Sequence, residues 1–579
     1  RLYGLGQHKL DALDYKKLAP LDLNLAPRNT EILIPVVHSS RKYVCLMNLP
    51  SFGNVSINKE SVHWAFGTVV QFDMWIATTS ADDTSSTVSP WAQLQASYAD
   101  ATGYPPVYPY FTTGFWQSKN RYRNQTQLLD VARGYIERGY PLALMVIDYH
   151  SWDDPSGRTY LGDELLAKPC WPDPKAMVKE LQDMGVELMI SPYFHSLSQK
   201  SRFYEPAESQ KLLATNSSGQ PVMSGFSDAF IYDLYQPASR KFAWEAVENG
   251  YIRQYGMHQN WWVDCNEPCY ARDTEIFEQE MVYNRGNWPA SFVGAAYPHF
   301  VSKMVWEGQR RPDLRENSPV MLARSAWAGS QRFGVSVWSG DTSSNFNSLR
   351  QQVRAGLNMA MSGIPYWTTD IGGYQGGNID DYSFRQLIVR WFQFGAFSPF
   401  FRNHGRRGAN HIDAADECGS TNGSNEIWNF GQEAEEFIAI MMRIREQLRP
   451  YVMEQYRAAS ERAEPIIRPL FYDFWKEDDA AAVEDQFMFG PDYMIAPQLF
   501  ENATNRTVYL PPGELWVDYF SDGPYIYDTT NKTKGIRVVI PTPLEKFPVF
   551  IRAPLHEGEN HLDVLQLLRG NRVGVQSPQ

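Results

Sequence analysis

The chain has 579 residues, of which 43% are hydrophobic and 14% aromatic, with a net charge of −13 and five cysteines. That length calls for several domains around a large core. The acidic balance argues against a nucleic-acid binder or a protein drawn to an anionic membrane surface. The low, odd cysteine count argues against a disulfide scaffold, although one or two bridges stay open. No apolar run reaches the roughly 18 residues of a transmembrane helix.

Taken in chain order, residues 1–100 alternate apolar and polar positions, as in EILIPVV (31–37), KYVCLMN (42–48) and VVQFDMWIAT (69–78). A period of two with interspersed Pro and Gly predicts antiparallel sheet, the N-terminal β-sandwich portion. The stretch 79–108, rich in Ser, Thr, Ala, Pro and Gly, reads as a linking segment. From 109 onward, short apolar runs alternate with helical patterns such as 125–139 and 174–185. Eight candidate strands follow one another: 111–117, 142–149, 186–194, 260–267, 318–326, 334–341, 364–373 and 397–405. Eight such strands with helices between them predict an α/β fold, a (β/α)8 TIM barrel over 101–461. The gap 195–259 is too long for one helix and implies an insertion. The charge run RRPDLR (310–315) reads as a solvated loop. A long helical pattern covers 433–459, and β texture returns in 506–512, 514–520 and 536–542. Residues 462–579 are therefore predicted to form a C-terminal β-sandwich.

In such a barrel, catalytic groups sit at the C-terminal ends of the strands. Those ends carry Asp148 on the second strand, Asp264 and then Glu267 on the fourth, and Arg324 on the fifth. Asp341 ends the sixth, Asp370 the seventh, and Arg402 with His404 the eighth. Aromatic residues flank them, including Trp116, Trp152, Trp262, Trp338 and Trp367. The chain has no GxSxG elbow, Walker loop or HExxH helix. Cleavage of a glycosidic bond needs two carboxyl groups, and carboxylates among aromatics suit an oxocarbenium-like transition state on a sugar.

WWVDCNEP (261–268) resembles the nucleophile signature of glycoside hydrolase family 31, close to W-x-D-x-N-E. ARSAWAGSQRFGVSVWSGD (323–341) resembles the family's next signature, a sugar-binding Arg followed by the acid/base Asp in a W-x-G-D context. YWTTDIGGY (366–374), FFRNHG (400–405) and RLYGLGQH (1–8) are similar to further blocks, in the same order. The resemblance implies Asp264 as nucleophile and Asp341 as general acid/base. It implies Asp148, Arg324, Asp370 and His404 as groups that grip the sugar's hydroxyls, with Trp338 in the wall. The implied activity is retaining, exo-acting hydrolysis of terminal α-linked sugars, with no metal or organic cofactor. The partner is an oligosaccharide or glycoside, with no nucleic acid and no membrane insertion, and the oligomeric state is left open. The family's N-terminal β-domain is larger than 1–100. A chain opening on Arg1 without Met or signal peptide is therefore expected to be a processed product or an excised piece.

GFWQSKNRY (114–122) and IDYHSW (147–152) resemble the α-xylosidase branch more than the starch-type α-glucosidases, which carry a D-I-D-Y-M-type block there. α-Xylosidase is thus the first expectation, α-glucosidase the second and a transglycosylase the third. A non-catalytic carbohydrate-binding barrel is the alternative of another class, and the presence of both aspartates in their contexts weighs against it. Structural readings stand beside these roles: a helix cap at Asp341, a turn at Asp370, a buried cation at Arg324 and a core histidine at His404. Glu267 reads as orienting Asp264 or Arg324, and Cys265, with no His partner evident, as a small buried side chain. N-x-S/T sequons at Asn54, Asn124, Asn216, Asn422, Asn502, Asn505 and Asn531 point to the secretory route.

Overall fold

Eight parallel strands make one sheet in the computed structural model: β1 (Phe115–Gln117), β2 (Leu144–Ile147), β3 (Glu187–Ile190), β4 (Asn260–Val263), β5 (Val320–Ala323), β6 (Val335–Trp338), β7 (Trp367–Thr368) and β8 (Phe401–Asn403). Neighbours in sequence pair from β1 to β7, and β8 returns to β1 through Phe401–Phe115, Arg402–Trp116 and Asn403–Gln117. Just past β7 the ring closes on β8 through a parallel bridge between Ile371 and Asn403. This is the (β/α)8 barrel that the sequence predicts. Its strands are nearly all buried on both faces, which is why they read as continuous apolar runs. Each strand is shorter than its apolar run: β1 begins only after the 3-10 turn Tyr110–Thr113, and most of the others end before the run does, where the chain turns into the barrel mouth.

The structure describes residues 1–79, 88–223, 229–257, 260–267, 281–309, 319–408, 417–419, 421–520 and 525–553. RRPDLR (310–315) and Cys269 lie outside them. The chain divides into two units, Arg1–Ile467 and Arg468–Gln579.

The crossover helices begin where the side chains dictate. Asn124 caps Gln125–Glu137 by accepting from Gln127 N–H, and Asp173 caps Pro174–Asp183, which carries Pro at its start. The helix after β6, Phe346–Ala360, is capped by Asn345, which accepts from Ser348 N–H. The helix after β7, Tyr382–Ala396, is capped by Asp381. Asp341 is thereby released from a capping role. Between β3 and β4 lie an antiparallel strand pair, Ser196–Ser198 with Ala229–Ile231, and the helix Pro237–Val247. Gln432–Arg462 is a single helix of 31 residues. From it the buried Arg445 donates to the carbonyls of Thr113, Ala396, Ser398 and Pro399, tying the helix to the segments that precede β1 and β8.

The N-terminal residues form a four-stranded and a three-stranded antiparallel sheet. The reading of 79–108 as a linker is overturned, because Pro90–Thr102 is a helix. Ser89 accepts from Trp91 N–H at its start, and Gly103 at φ +99° ends it. Trp91, Leu94, Gln95 and Tyr98 bury one stripe, a helical spacing hidden by small residues elsewhere in the segment. The first strand, Leu2–Gln7, docks on the barrel: Gly4 N–H donates to Asn358 and Gly6 N–H to Ser362. Gly6, at φ +83°, would place a Cβ 1.9 Å from the Ile32 carbonyl oxygen, so only glycine fits.

In the second unit a six-stranded sheet and the antiparallel pair Asn505–Leu510 with Ile536–Pro541 enclose Met488, Val508, Trp516 and Phe550. Among the described residues, no helix is long and apolar enough to cross a membrane.

Cys170 and Cys418 form a disulfide across 248 residues, joining the segment before the third barrel strand to the loop after β8. A bridge closing so long a loop restricts the unfolded chain strongly. Replacing both cysteines by Ser should destabilise the protein by about 2–5 kcal/mol. A lower midpoint in denaturant unfolding measures the loss.

Candidate active site

The charged residues stand where the strands end. Asp148, Asp264, Arg324 and His404 are the first residues after β2, β4, β5 and β8. Asp370 follows β7 by two residues and Asp341 follows β6 by three. Arg402 lies within β8, and Trp338 is the last residue of β6. The seven residues to which the sequence gives a catalytic or sugar-binding role all stand at this mouth. Backbone strain gathers there too. His150, Tyr193 and Cys265, just beyond β2, β3 and β4, have φ of +61°, +55° and +54°. Non-glycine residues in this region cost on the order of 1–3 kcal/mol each, and such conformations cluster at functional sites.

Arg324 organises one half of the mouth. Its guanidinium lies 3.2 Å from Asp264 and 2.5 Å from Glu267, a carboxylate only 2% exposed. Burial alone would lower the Arg324 pKa, but Glu267, Asp264 and Asp341 together drive it up, so the cation is locked in. Glu267 thus pairs with Arg324, one of the two groups that the sequence sets beside it. Asp264 also accepts from the Tyr193 hydroxyl and from Cys265 N–H at 2.8 Å. Three donors therefore fix its carboxylate. Cys265 is buried but disulfide-bonded, so it is neither a free thiol nor a simple apolar filler.

Arg402 organises the other half. It pairs with Asp370, and neither side chain is exposed to solvent. Its guanidinium stacks 4.5 Å over Trp262 and lies 5.9 Å from the Trp338 ring. Burial pushes the Asp370 carboxyl up to about 7 although Arg402 pulls it down. His404 is held well below the usual histidine range, by burial first and then by Arg402 and Arg407, and is neutral. Its Nδ1 lies 2.7 Å from the Ser118 hydroxyl, and Tyr374 stacks on its ring. Asp148 is raised well above the usual carboxylate range, by burial first and then by the charges of Asp264 and Asp341.

Several buried polar atoms here have no hydrogen-bond partner within the described chain: Asp370 Oδ2, His404 Nε2, Arg402 Nη2, Glu267 Oε2 and the indole nitrogens of Trp262 and Trp338. Buried groups left unpaired are costly, and their convergence marks a surface shaped for a ligand rich in hydroxyls. Asp341 stands at the rim. It is raised by burial first and by Asp264, against the pull of Arg324 and Asn29.

Arg402, which the sequence places with His404 at the end of the eighth strand without giving it a role, pairs here with Asp370. Two further participants have weak or absent signals in the sequence. Tyr193 lies three residues past an apolar strand and carries no charge. Asn29 comes from the N-terminal turn Arg28–Glu31, and its amide donates to Asp341 Oδ2 at 2.7 Å.

Residues 105–455 match the model of the glycosyl hydrolase family 31 TIM-barrel domain, and residues 463–554 match the C-terminal domain of the same family. The chain belongs to glycosyl hydrolase family 31. It is 40% identical over 409 residues to an uncharacterized family 31 glucosidase, ORF2, of Pseudescherichia vulneris, covering 70% of this chain and 72% of that one. It is 30% identical to an α-xylosidase of Saccharolobus solfataricus, over 98% of this chain and 72% of the relative. A family 31 α-xylosidase from a soil metagenome, solved in complex with xylose, superposes with a TM-score of 0.86 at 36% identity. That match covers 98% of this chain and 79% of the other. Family 31 membership makes the chain a glycoside hydrolase and accounts for the carboxylate-rich mouth.

Arg324→Met would leave Glu267 buried beside Asp264 without its cation. The expected loss of stability is about 3–5 kcal/mol in denaturant unfolding. A loss under about 1 kcal/mol would mean that the cluster finds its compensation elsewhere.

Proposed function

We propose that this protein is a retaining, exo-acting α-glycosidase, foremost an α-xylosidase, with Asp264 as nucleophile and Asp341 as general acid/base. The observation that carries the proposal is the unequal surroundings of two carboxyl groups at one mouth. Asp264 is gripped by Arg324, Tyr193 and Cys265 N–H, whereas Asp341 is pushed toward its protonated form by burial and by Asp264. Surroundings that bind one carboxyl firmly and favour the protonated form of the other suit the nucleophile and acid roles.

In the first step Asp264 attacks C1 of the sugar while Asp341 protonates the glycosidic oxygen. The C1–O bond breaks, a C1–Oδ ester forms on the opposite face, and the aglycone leaves as an alcohol. In the second step Asp341 takes a proton from water, the water oxygen bonds C1, and the ester to Asp264 breaks. Two inversions give the α-sugar. Asp148, Asp370, His404, Arg402 and Trp338, none more than 3% exposed, form a floor that suits a chain end. That enclosure supports exo action.

The xylose preference is supported by two α-xylosidase relatives that align over 98% and 99% of this chain, and by the xylose-bound neighbour. The 40% identity to the family 31 glucosidase ORF2 favours α-glucosidase as the second reading. Xylose and glucose differ by one hydroxymethyl group, for which a pocket discriminates by roughly 10–200-fold. kcat/KM for p-nitrophenyl α-xyloside should exceed that for the α-glucoside by such a factor, and a reversed ratio would make the protein an α-glucosidase.

Azide separates the two catalytic assignments. Asp264→Gly should lose several orders of magnitude in kcat and regain turnover with azide, yielding the β-glycosyl azide. Asp341→Gly with an activated substrate should yield the α-glycosyl azide, because azide then enters on the opposite face. Exchanged stereochemistry would exchange the two roles.

A further inference from the structure

The turn Arg28–Glu31 reaches the barrel mouth with more structure than a wall requires. Its ends exchange two backbone hydrogen bonds, Arg28 N–H to Glu31 O and Glu31 N–H to Arg28 O, each of 3.0 Å. Thr30 at its tip has φ +73°, a left-handed conformation that a β-branched residue adopts only under constraint. Gln7 supplies the constraint: its Nε2 donates to the Thr30 carbonyl at 3.3 Å, and its Oε1 accepts from the Trp367 indole at 2.8 Å. Gly340 gives the turn room. A Cβ there would stand 2.5 Å from Thr30 N and 2.7 Å from Asn29 Oδ1, so no side chain fits between the turn and Asp341.

We propose that Asn29 is the positioning residue of the acid/base, and that its amide fixes the transferable proton of Asp341 on Oδ1. The inference rests on Asp341 being the acid/base.

The amide of Asn29 has one accepting end and one donating end. The backbone N–H of Asp341 donates to Asn29 Oδ1 at 3.0 Å, which fixes the direction of the amide. Its Nδ2 must then face the carboxyl group, where it donates to Oδ2 at 2.7 Å. An oxygen that accepts from an amide cannot also point its own hydrogen at that amide. The carbonyl-type oxygen of a protonated carboxyl is the better acceptor, so this hydrogen bond favours the proton on Oδ1. In the first step the Oδ1–H bond breaks, the proton passes to the glycosidic oxygen, C1–O breaks and C1 bonds Asp264. In the second step Oδ1 takes the proton of the water whose oxygen bonds C1. One oxygen serves both half-reactions, with no rotation of the carboxyl group between them.

The amide also acts on the titration of Asp341. The charged and titratable groups facing Asp341 are Asp148 after β2, Asp264 and Glu267 after β4, Arg324 after β5, Asp370 and Tyr374 after β7, and Lys9 from the N-terminal region. Burial and Asp264 raise its pKa, while Arg324 and the Asn29 donor oppose them. Removing the amide leaves the first influences less opposed.

The test compares Asn29→Ala with the unaltered enzyme on an α-linked disaccharide and on the matching α-glycosyl fluoride, across pH. Departure of fluoride needs little proton donation, whereas departure of a sugar alkoxide needs much. kcat/KM should fall on the order of 10–100-fold on the disaccharide and far less on the fluoride. The alkaline limb of the disaccharide profile, which reports loss of the Asp341 proton, should move to higher pH. Asn29→Asp, which puts a like charge beside Asp341, should move that limb further in the same direction. Asn29 is exposed, so both variants are expected to fold. An equal loss on both substrates, or an alkaline limb that stays in place, would overturn the inference. Asp341→Ala separates the two levels. Near-normal turnover of the disaccharide by that variant would remove the acid/base assignment and the inference with it. An inactive Asp341→Ala beside an Asn29→Ala that behaves like the unaltered enzyme would remove the inference alone.

Discussion

The mouth of this barrel holds more carboxyl groups than the two arginines paired with them can neutralise, and the rest of the site follows from how those cations are distributed. Five carboxyls, Asp148, Asp264, Glu267, Asp341 and Asp370, share the mouth with Arg324 and Arg402. Arg324 is committed to Asp264 and Glu267, and Arg402 to Asp370. Among the described residues, Asp148 and Asp341 form no ion pair with an Arg or Lys, and the histidine near Asp148 is neutral. A buried carboxyl without a countercharge rises in pKa. Asp341 at the rim is therefore the carboxyl pushed toward its protonated form, while Asp264 is held by Arg324, the Tyr193 hydroxyl and Cys265 N–H. The proposed division of labour is a consequence of charge allocation in a low-dielectric mouth.

The allocation needs accurate positions, and two features of the fold supply them. Most of the charged groups sit at, or directly after, a strand end of the barrel, so the closed sheet fixes their origins to within a residue. The aromatic residues then restrict their directions: Arg402 is stacked over Trp262, while His404 lies edge-on to Trp262 and stacked with Tyr374. The left-handed residues His150, Tyr193 and Cys265 turn the chain sharply just past three of the strands. Such strain persists only where the surroundings determine it, and here the packed barrel does so.

Much of this is legible in the sequence because the barrel repeats one relation: an apolar run, then a polar residue at the mouth. That relation located Asp148, Asp264, Arg324, Asp341, Asp370 and His404, and the long apolar runs located the eight strands. It overstated strand length, since the same runs include the residues that leave the ladder. It also misread 79–108, where the composition of a linker concealed the Trp91–Tyr98 stripe of a helix. Asn29 was beyond its reach. Asn29 and Asp341 are 312 residues apart, and nothing in LAPRNTEI marks an amide that will face a carboxyl group. The pairing of Cys170 with Cys418 was likewise a matter of three-dimensional proximity, which spacing alone does not encode.

Covalent trapping tests the central claim most directly. A 5-fluoroglycosyl fluoride of the preferred sugar slows both steps and lets the glycosyl-enzyme accumulate, and peptide mass spectrometry then locates the sugar. The account predicts one sugar per chain, bound as an ester to Asp264. A sugar on Glu267 or another residue, or time-dependent turnover with no covalent adduct, would contradict it.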